Sequence, residues 1–451
     1  GLTFLVPLIS SYRIINLSYR FKTNHFKNDY SSRLLKSSLV IGLVQLVIIL
    51  LQIIYSTNLV PFVVLIEVLS LIILIILMVL SINIYQKTKS LKPPRVSVHY
   101  YDRDLPTVSV LIPAKDESDS LINCLSSLTN SDYPKLEIIV LDDCSQTKQT
   151  SDIIKSFAHQ GVVFIEGKTP PDGWLAKNYA YHQLLEQANG EILLFCGVDV
   201  EFNSHSIRSM VELMLSQKHN MISIIPKSNF DKNNLFINFD YQLLRYNFEI
   251  MFSKLLLHRP SSLSTCWLID RYSLIKNNGF NDLRLNLLPE KKLAQNIIDQ
   301  GLSYGFYESN KFIGLMTIKS IADQENTAIR ISFPKMLQRT DVVFVFSLFL
   351  FLVFIGPILI LISDLVLNSS LILIFSIISL ILAIYYFDQL LKICYHHLFR
   401  LLGIFYPVLI FKEIIIYHQS MWRYLFGEVY WKNRNICLPP KNYNQQNRIN
   451  L

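Results

Sequence analysis

The chain has 451 residues, 51% of them hydrophobic and 17% charged, with a net charge of +8 and a mean hydropathy of +0.33. That is too apolar for a wholly water-soluble protein and too long for one ordinary domain. The basic residues are scattered and flank apolar runs, a pattern that sets membrane topology and argues against nucleic acid as a partner. Residues 1–36 mix aromatic, apolar and basic types, and Arg13, Arg20, Lys22, Lys27, Arg33 and Lys36 precede the first long apolar run. They predict an interfacial segment on the cytoplasmic side, without a signal-peptide cleavage pattern. Residues 37–92 predict a transmembrane hairpin: Ser38–Tyr55 is one span, and Leu59–Tyr85, broken only by Glu67, is the next. A hydrocarbon core needs about 20 helical residues. Lys87, Lys89, Lys92 and Arg95 follow, so both ends of the hairpin are expected in the cytoplasm.

Pro93 and Pro94 open a domain over 93–339. Strands are expected near 108–113, 136–142, 162–166, 192–198 and 221–226. Helices such as Ser118–Leu128 and Lys177–Gln187 lie between them. This alternation predicts an α/β fold with a mostly parallel sheet covered on both faces. The second half is less regular, with a long aromatic-rich helix expected over Phe236–Leu257. A second transmembrane hairpin is predicted over 340–392, from the spans Val342–Leu365 and Ser370–Leu391. Asp364 and Asn368 lie at its turn, and Lys392, His396, His397 and Arg400 follow it. Residues 393–451 are expected to form an interfacial or re-entrant segment and a C-terminal tail. Within them Leu401–Tyr417 is short and interrupted by Lys412 and Glu413. The expected product is a multi-pass membrane protein with its central domain in the cytoplasm. The six cysteines form no C-x-x-C pair and fit reduced, buried thiols.

Three expected strands end in carboxylates: Asp116 and Glu117, Asp142 and Asp143, Asp199 and Glu201. A doubly wound sheet brings such ends to one edge, where ligands bind. The first two pairs suit a nucleotide, and Asp199 suits a divalent cation against a diphosphate. For any single pair a helix cap or solvated loop end is the commoner role; three pairs in register shift that balance. Pro170–Asn178 forms a Pro-Asp-Gly turn that presents Trp174. It places Lys177 at a helix start, where it would pair with a diphosphate unless it is only a cap over a packed Trp. Glu290, just after Pro289, suits a general base or a plain first-turn glutamate. There is no G-x-x-x-x-G-K-[ST], G-x-G-x-x-G or H-E-x-x-H motif.

These residues resemble the family 2 glycosyltransferases of GT-A fold, in particular the membrane-bound subgroup related to hopanoid-associated and carotenoid glycosyltransferases. Ile112–Glu117 resembles I-P-A-R-N-E, and Val140–Ser145 resembles V-V-D-D-G-S. Gly173–Lys177 resembles G-W-x-G-K, Phe195–Val200 resembles F-x-D-A-D-V, and Trp431–Arg434 resembles W-K-G-R. The resemblance implies inverting transfer of a single sugar from a nucleotide sugar, expected to be UDP-linked, to a hydroxyl of a membrane lipid. It implies nucleotide-sugar contacts from Pro113, Lys115, Asp116, Glu117, Asp142, Asp143, Trp174 and Lys177. It further implies Mg²⁺ or Mn²⁺ at Asp199 and Glu290 as catalytic base. Four positions depart from the family pattern. Gly197 replaces the first Asp of D-x-D, Ala176 and Cys144 replace glycines, and Pro289 replaces an acid. Glu201 would point to the opposite face of a continuing strand. The departures motivate a second reading, a catalytically degenerate accessory subunit of a membrane assembly. A third is a polyprenyl-phosphate sugar synthase. The Q-x-x-R-W signature of processive synthases is not found, which favours single-sugar transfer.

Overall fold

The structure, a computed structural model, describes residues 59–95, 100–228, 241–254, 258–395, 402–432 and 434–437. The predicted interfacial segment 1–36, the span Ser38–Tyr55 and the flank at His396, His397 and Arg400 lie outside these. The first described helix, α1, runs Leu59–Ser90. The central domain then alternates as expected: β1 (Val108–Ala114), α2 (Asp119–Thr129), β2 (Leu136–Asp142), α3 (Gln149–Ser156), β3 (Val162–Glu166), α4 (Ala176–Gln187), β4 (Ile192–Cys196). It continues with β5 (Val200–Glu201), α5 (Ser206–Ser216), β6 (Met221–Ile225), β7 (Lys227–Ser228), α6 (Tyr241–Asn247), β8 (Cys266–Asp270) and α7 (Arg271–Lys276). It ends with α8 (Pro289–Asp299), β9 (Tyr304–Glu308), β10 (Met316–Thr317) and α9 (Ile321–Lys335).

The main sheet has the order β3-β2-β1-β4-β8-β6-β9. β8 runs antiparallel to both its neighbours, and every other adjacent pair is parallel. The β-branched and aliphatic residues of β1 alternate between faces. Val108, Val110 and Ile112 pack with α2 and α5, while Leu111 packs with α4 and α8. Burial on both faces is why the strands read as continuous apolar runs. Strand order reverses between β1 and β4, because the chain winds outward to β3 and then returns to the other side of β1. The crevice at that reversal is where open α/β sheets bind ligands. A small sheet, β5-β10-β7, lies just beyond the end of β4.

Among the described residues, three helices are long and apolar enough to cross a membrane: Phe62–Ser90, Thr340–Leu367 and Ser370–Cys394. The second comprises α10 (Thr340–Leu350), a wider π-type turn at Phe351–Ile355, and α11 (Gly356–Leu367). The wide turn falls just before Pro357, which has no N–H to donate to the preceding turn. Asn368, in the left-handed conformation, ends α11, and α12 (Ser370–Cys394) returns. The domain is bonded to the ends of these helices. Glu308 N donates to Leu91 O (2.8 Å), and Lys227 Nζ reaches both Glu308 Oε2 (3.0 Å) and Lys392 O (2.7 Å). The C-terminal ends of α1 and α12 therefore meet the domain on one side.

The sequence Leu401–Tyr417 does not stop where its charges suggested. α13 runs Tyr406–Leu425. It buries Leu409, Ile410, Ile414, Tyr417 and Met421, and leaves Val408, Phe411 and Ile415 exposed. Glu413 does not interrupt it because the carboxylate is buried with partners: Asn247 Nδ2 at 3.3 Å and Tyr417 Oη at 3.2 Å. Burial pushes the Glu413 carboxyl up to about 7 from 4.5, against the pull of those hydrogen bonds. A carboxyl raised in the fold favours folding fully below its unfolded value and loses that contribution as pH rises through its folded value. Glu413→Gln, which cannot ionise, is therefore expected to raise stability at pH 8 by about 2 kcal/mol. At pH 5 it should change little. Thermal unfolding in detergent at the two pH values checks this; an equal effect at both would contradict it.

Candidate active site

The carboxyl ends of β1, β2 and β4 assemble the site. Asp143 N donates to Ala114 O (2.7 Å), which locks the ends of β1 and β2 side by side. Both loops then turn through left-handed conformations, Asp116 at φ 48° and Cys144 at φ 53°. Cys144 stands where the resemblance expects glycine. A residue with a Cβ costs about 1–2 kcal/mol there, and glycine's greater unfolded freedom offsets part of that gain. Cys144→Gly is expected to stabilise by about 0.5–1 kcal/mol. A lower melting temperature would instead show that the Cys144 Sγ contact with Gly167 O (3.3 Å) dominates.

Several of the expected nucleotide contacts also brace the loops. Lys115 Nζ donates to the carbonyls of Asp143 (3.2 Å) and Cys144 (2.5 Å). Asp142 Oδ1 accepts from Ser145 N (3.0 Å) and its hydroxyl. Asp116 Oδ1 accepts from Gln146 N (2.7 Å). Pro113 is the half-buried penultimate residue of β1. Asp116 and Glu117, with Ser118, Gln146, Thr147 and Gln149, line a cavity of about 250 Å³ at this edge. The C-terminal tail bonds to the same strand ends. There β11 (Tyr430–Trp431) and β12 (Arg434–Asn435) form a short hairpin. Lys432 Nζ pairs with Glu117 Oε1 (2.8 Å), Arg434 with Asp143 Oδ2 (2.6 Å), and Trp431 lies 5.6 Å from the Arg330 guanidinium. Burial raises both Glu117 and Asp143 above the usual carboxylate range despite these cations.

Across the reversal of strand order, Lys177 near the start of α4 faces Glu290 in the first turn of α8, with Nζ 3.6 Å from Oε2. Glu290 is 2% exposed. Among the described residues its Oε2 accepts no hydrogen bond. A buried carboxylate oxygen with no hydrogen bond is uncommon in native folds; here its charge is met by the Lys177 ammonium at ion-pair distance. Burial lowers Lys177 below the usual ammonium range, against the pull of Glu290. The approach of α4 to α8 is fixed by a residue sequence reasoning missed. Asn178 is 1% exposed, and its Nδ2 reaches the carbonyls of Leu283 (2.6 Å), Arg284 (3.2 Å) and Asn286 (2.8 Å). Trp174 is half-buried, 5.1 Å from the His182 ring and 5.2 Å from the Arg284 guanidinium, so it braces the same loop.

Asp199 lies beyond β4 as predicted, and Glu201 falls in the separate strand β5. The Asp199 carboxylate is paired with Lys319, Oδ2 to Nζ 3.0 Å. Burial works to raise Asp199, but Lys319 outweighs it and holds the carboxyl below its ordinary range. Gly197 contributes no side chain, and no group of three or more His, Cys, Asp or Glu among the described residues is placed to hold a metal. One carboxylate already bound to an ammonium does not fit Mg²⁺ or Mn²⁺, which seek several hard oxygen ligands. Lys319, and Arg245 and Arg330, whose charges act on Asp199, were not legible as neighbours of that carboxylate, since no motif surrounds them.

Residues 109–277 match the family described as Glycosyl transferase family 2. The chain carries a family 2 glycosyltransferase domain. Its sheet, with one antiparallel strand in a mostly parallel order, is of the GT-A type. The glycosyltransferase domain is 33% identical over 100 residues to a probable glycosyltransferase, YdaM, of Bacillus subtilis, covering 22% of this chain and 24% of that protein. It is 29% identical over 122 residues to 4,4'-diaponeurosporenoate glycosyltransferase of Staphylococcus haemolyticus, covering 27% of this chain and 32% of that one. The matches thus span less than a third of either relative. A mannosyltransferase structure from Pyrobaculum calidifontis, in complex with GDP-Man and Mn²⁺, aligns over 70% of this chain and 86% of its own at 16% identity and a TM-score of 0.44.

Proposed function

We propose that the chain transfers a single sugar from a nucleotide sugar to a hydroxyl of a membrane lipid, with inversion at the anomeric carbon. The observation that carries this reading is the buried Glu290 carboxylate, whose Oε2 accepts no hydrogen bond and lies 3.6 Å from Lys177 Nζ, at the crevice where strand order reverses. The nucleotide lies along the ends of β1 and β2, against Asp116, Glu117 and Asp143. The diphosphate faces Lys177. Glu290 takes the acceptor's proton as its oxygen attacks the anomeric carbon from the side opposite the diphosphate. The bond to the diphosphate oxygen breaks, and the nucleoside diphosphate leaves with the electron pair. In this reading α1 and the pair α10–α12 cross the membrane, the domain lies on the cytoplasmic side, and α13 lies in the interface with Val408, Phe411 and Ile415 toward lipid. An acceptor anchored in the bilayer then reaches the site from the helix side.

A second acceptor, a lipid phosphate, is favoured by one feature. A cavity of about 540 Å³ opens beside the first turn of α8, lined by His258, Arg259 and Lys292, by Lys291 with its ammonium bonded to Glu249, and by Pro334 and Leu337 just ahead of α10. Its basic lining suits an anionic head group. Incubating the purified protein in native lipid extract with labelled UDP- and GDP-sugars separates these outcomes. Label in the organic phase that survives mild acid identifies a glycoside on a hydroxyl. Label released by mild acid identifies a sugar phosphate. No lipid-linked label with any donor would overturn the transferase reading and leave the accessory-subunit one.

A further inference from the structure

We propose that Lys319 takes the place of a divalent cation in this site, so that the donor diphosphate is bound and its leaving charge balanced by side-chain cations alone. This rests on the nucleotide-sugar reading above and deepens it.

The Lys319–Asp199 pair is built into the fold. Thr317 pairs with Val200 in the small sheet, and Ile318 N donates to Asp199 O (3.1 Å). These contacts carry the next residue, Lys319, to the Asp199 carboxylate. Gln324 Nε2 holds the Lys319 carbonyl at 2.9 Å. Both side chains are mostly buried, 18% and 20% exposed. Gly197 completes the arrangement. A Cβ built there would lie 2.6 Å from Asp199 Oδ1. The Asp199 rotamer that meets Lys319 therefore occupies the space a side chain at 197 would need. A pair of acids flanking residue 198 and the present ion pair exclude one another without a rotamer change. Glu117, whose charge also acts on Asp199, is itself bound by Lys432.

Charge balance points the same way. Lys177, Arg245, Lys319, Arg330 and Lys432 act on Asp199, Glu290 and Glu117, and Asp323 acts on Glu117 as well, so the cations outnumber the carboxylates. The excess is positive, the sign that a doubly negative sugar-linked diphosphate requires. An ammonium offers three N–H donors to phosphate oxygens and requires no coordination sphere from the protein.

The test is binding of UDP and GDP to the detergent-solubilised full chain by titration calorimetry, with EDTA and with Mn²⁺, beside the Mn²⁺ electron paramagnetic resonance signal. The wild type is expected to bind equally with chelator and with Mn²⁺, within about twofold. Adding protein to Mn²⁺ and UDP should leave the spectrum unchanged. Lys319→Met is expected to weaken binding about 10-fold or more, as loss of a hydrogen bond to a charged group does. Binding that falls tenfold on chelation, or a protein-bound Mn²⁺ signal, would overturn the proposal alone. These arms use the wild type and do not depend on how the variant folds. No binding of either nucleotide under either condition would overturn the nucleotide reading and this proposal with it.

Discussion

Glu290→Gln is expected to cut sugar transfer about 10²–10⁴-fold while UDP binding stays within about threefold of wild type. The substitution keeps size and shape and removes only the capacity to take a proton. Glu290 is 2% exposed and pairs with Lys177 Nζ at 3.6 Å, a contact that an amide oxygen can keep. The loop that leads to α8 is fixed from Asn178, on the opposite side of the contact. A neutral amide therefore leaves the architecture in place. The readout is initial rate against nucleotide affinity: a loss of both together would assign Glu290 to folding or donor binding instead of proton transfer.

Arg434→Leu is expected to be the most destabilising single change in the tail, by about 2–4 kcal/mol, toward the cost of stranding one member of a buried pair. Asp143 is 1% exposed, and Arg434 bonds both its carboxylate (2.6 Å) and its carbonyl (3.0 Å). Because Arg434 is about a quarter exposed, water will recover part of the loss. Burial already raises Asp143, and without the guanidinium it rises further. A raised carboxyl loses its contribution as pH rises through the folded value, so the deficit of Arg434→Leu should be larger at pH 8 than at pH 5. Asp143→Asn in the same chain should restore most of it. A deficit that ignores both pH and Asp143→Asn would show that the hairpin, not the ion pair, holds the tail.

The parts of the fold legible in the sequence are those set by local pattern. β1 to β4 and β6 were read within a residue or two because strands buried on both faces write uninterrupted apolar runs. β8 and β9 escaped. Cys266–Asp270 follows a serine-rich loop, and Tyr304–Glu308 holds Gly305 and mixed polarity, so neither carries the rhythm of a core strand. Lys177 and Glu290 were legible as separate candidates, each with a plain helix-start alternative; their meeting depends on Asn178, a contact across 105 positions. Lys319 was illegible for the same reason. Only the pairing of Val200 with Thr317 brings it to Asp199. Lys432 and Arg434 stood inside a resembling motif, but nothing local indicated that they reach back across 291 positions or more to Glu117 and Asp143. Lys115 and Asp142, expected as ligand contacts, also bond within the loops that follow β1 and β2, a second role their types did not indicate.

The central claim is that the carboxyl edge of β1, β2 and β4 is a nucleotide-sugar site. The most direct measurement is the position of UDP in an experimental structure of the full chain determined with the nucleotide present. The account predicts the base in the crevice beside Asp116 and Glu117, and the diphosphate within hydrogen-bonding reach of Lys177 and Lys319 on the Glu290 side. A nucleotide seated elsewhere, or a diphosphate turned away from both lysines, would contradict it.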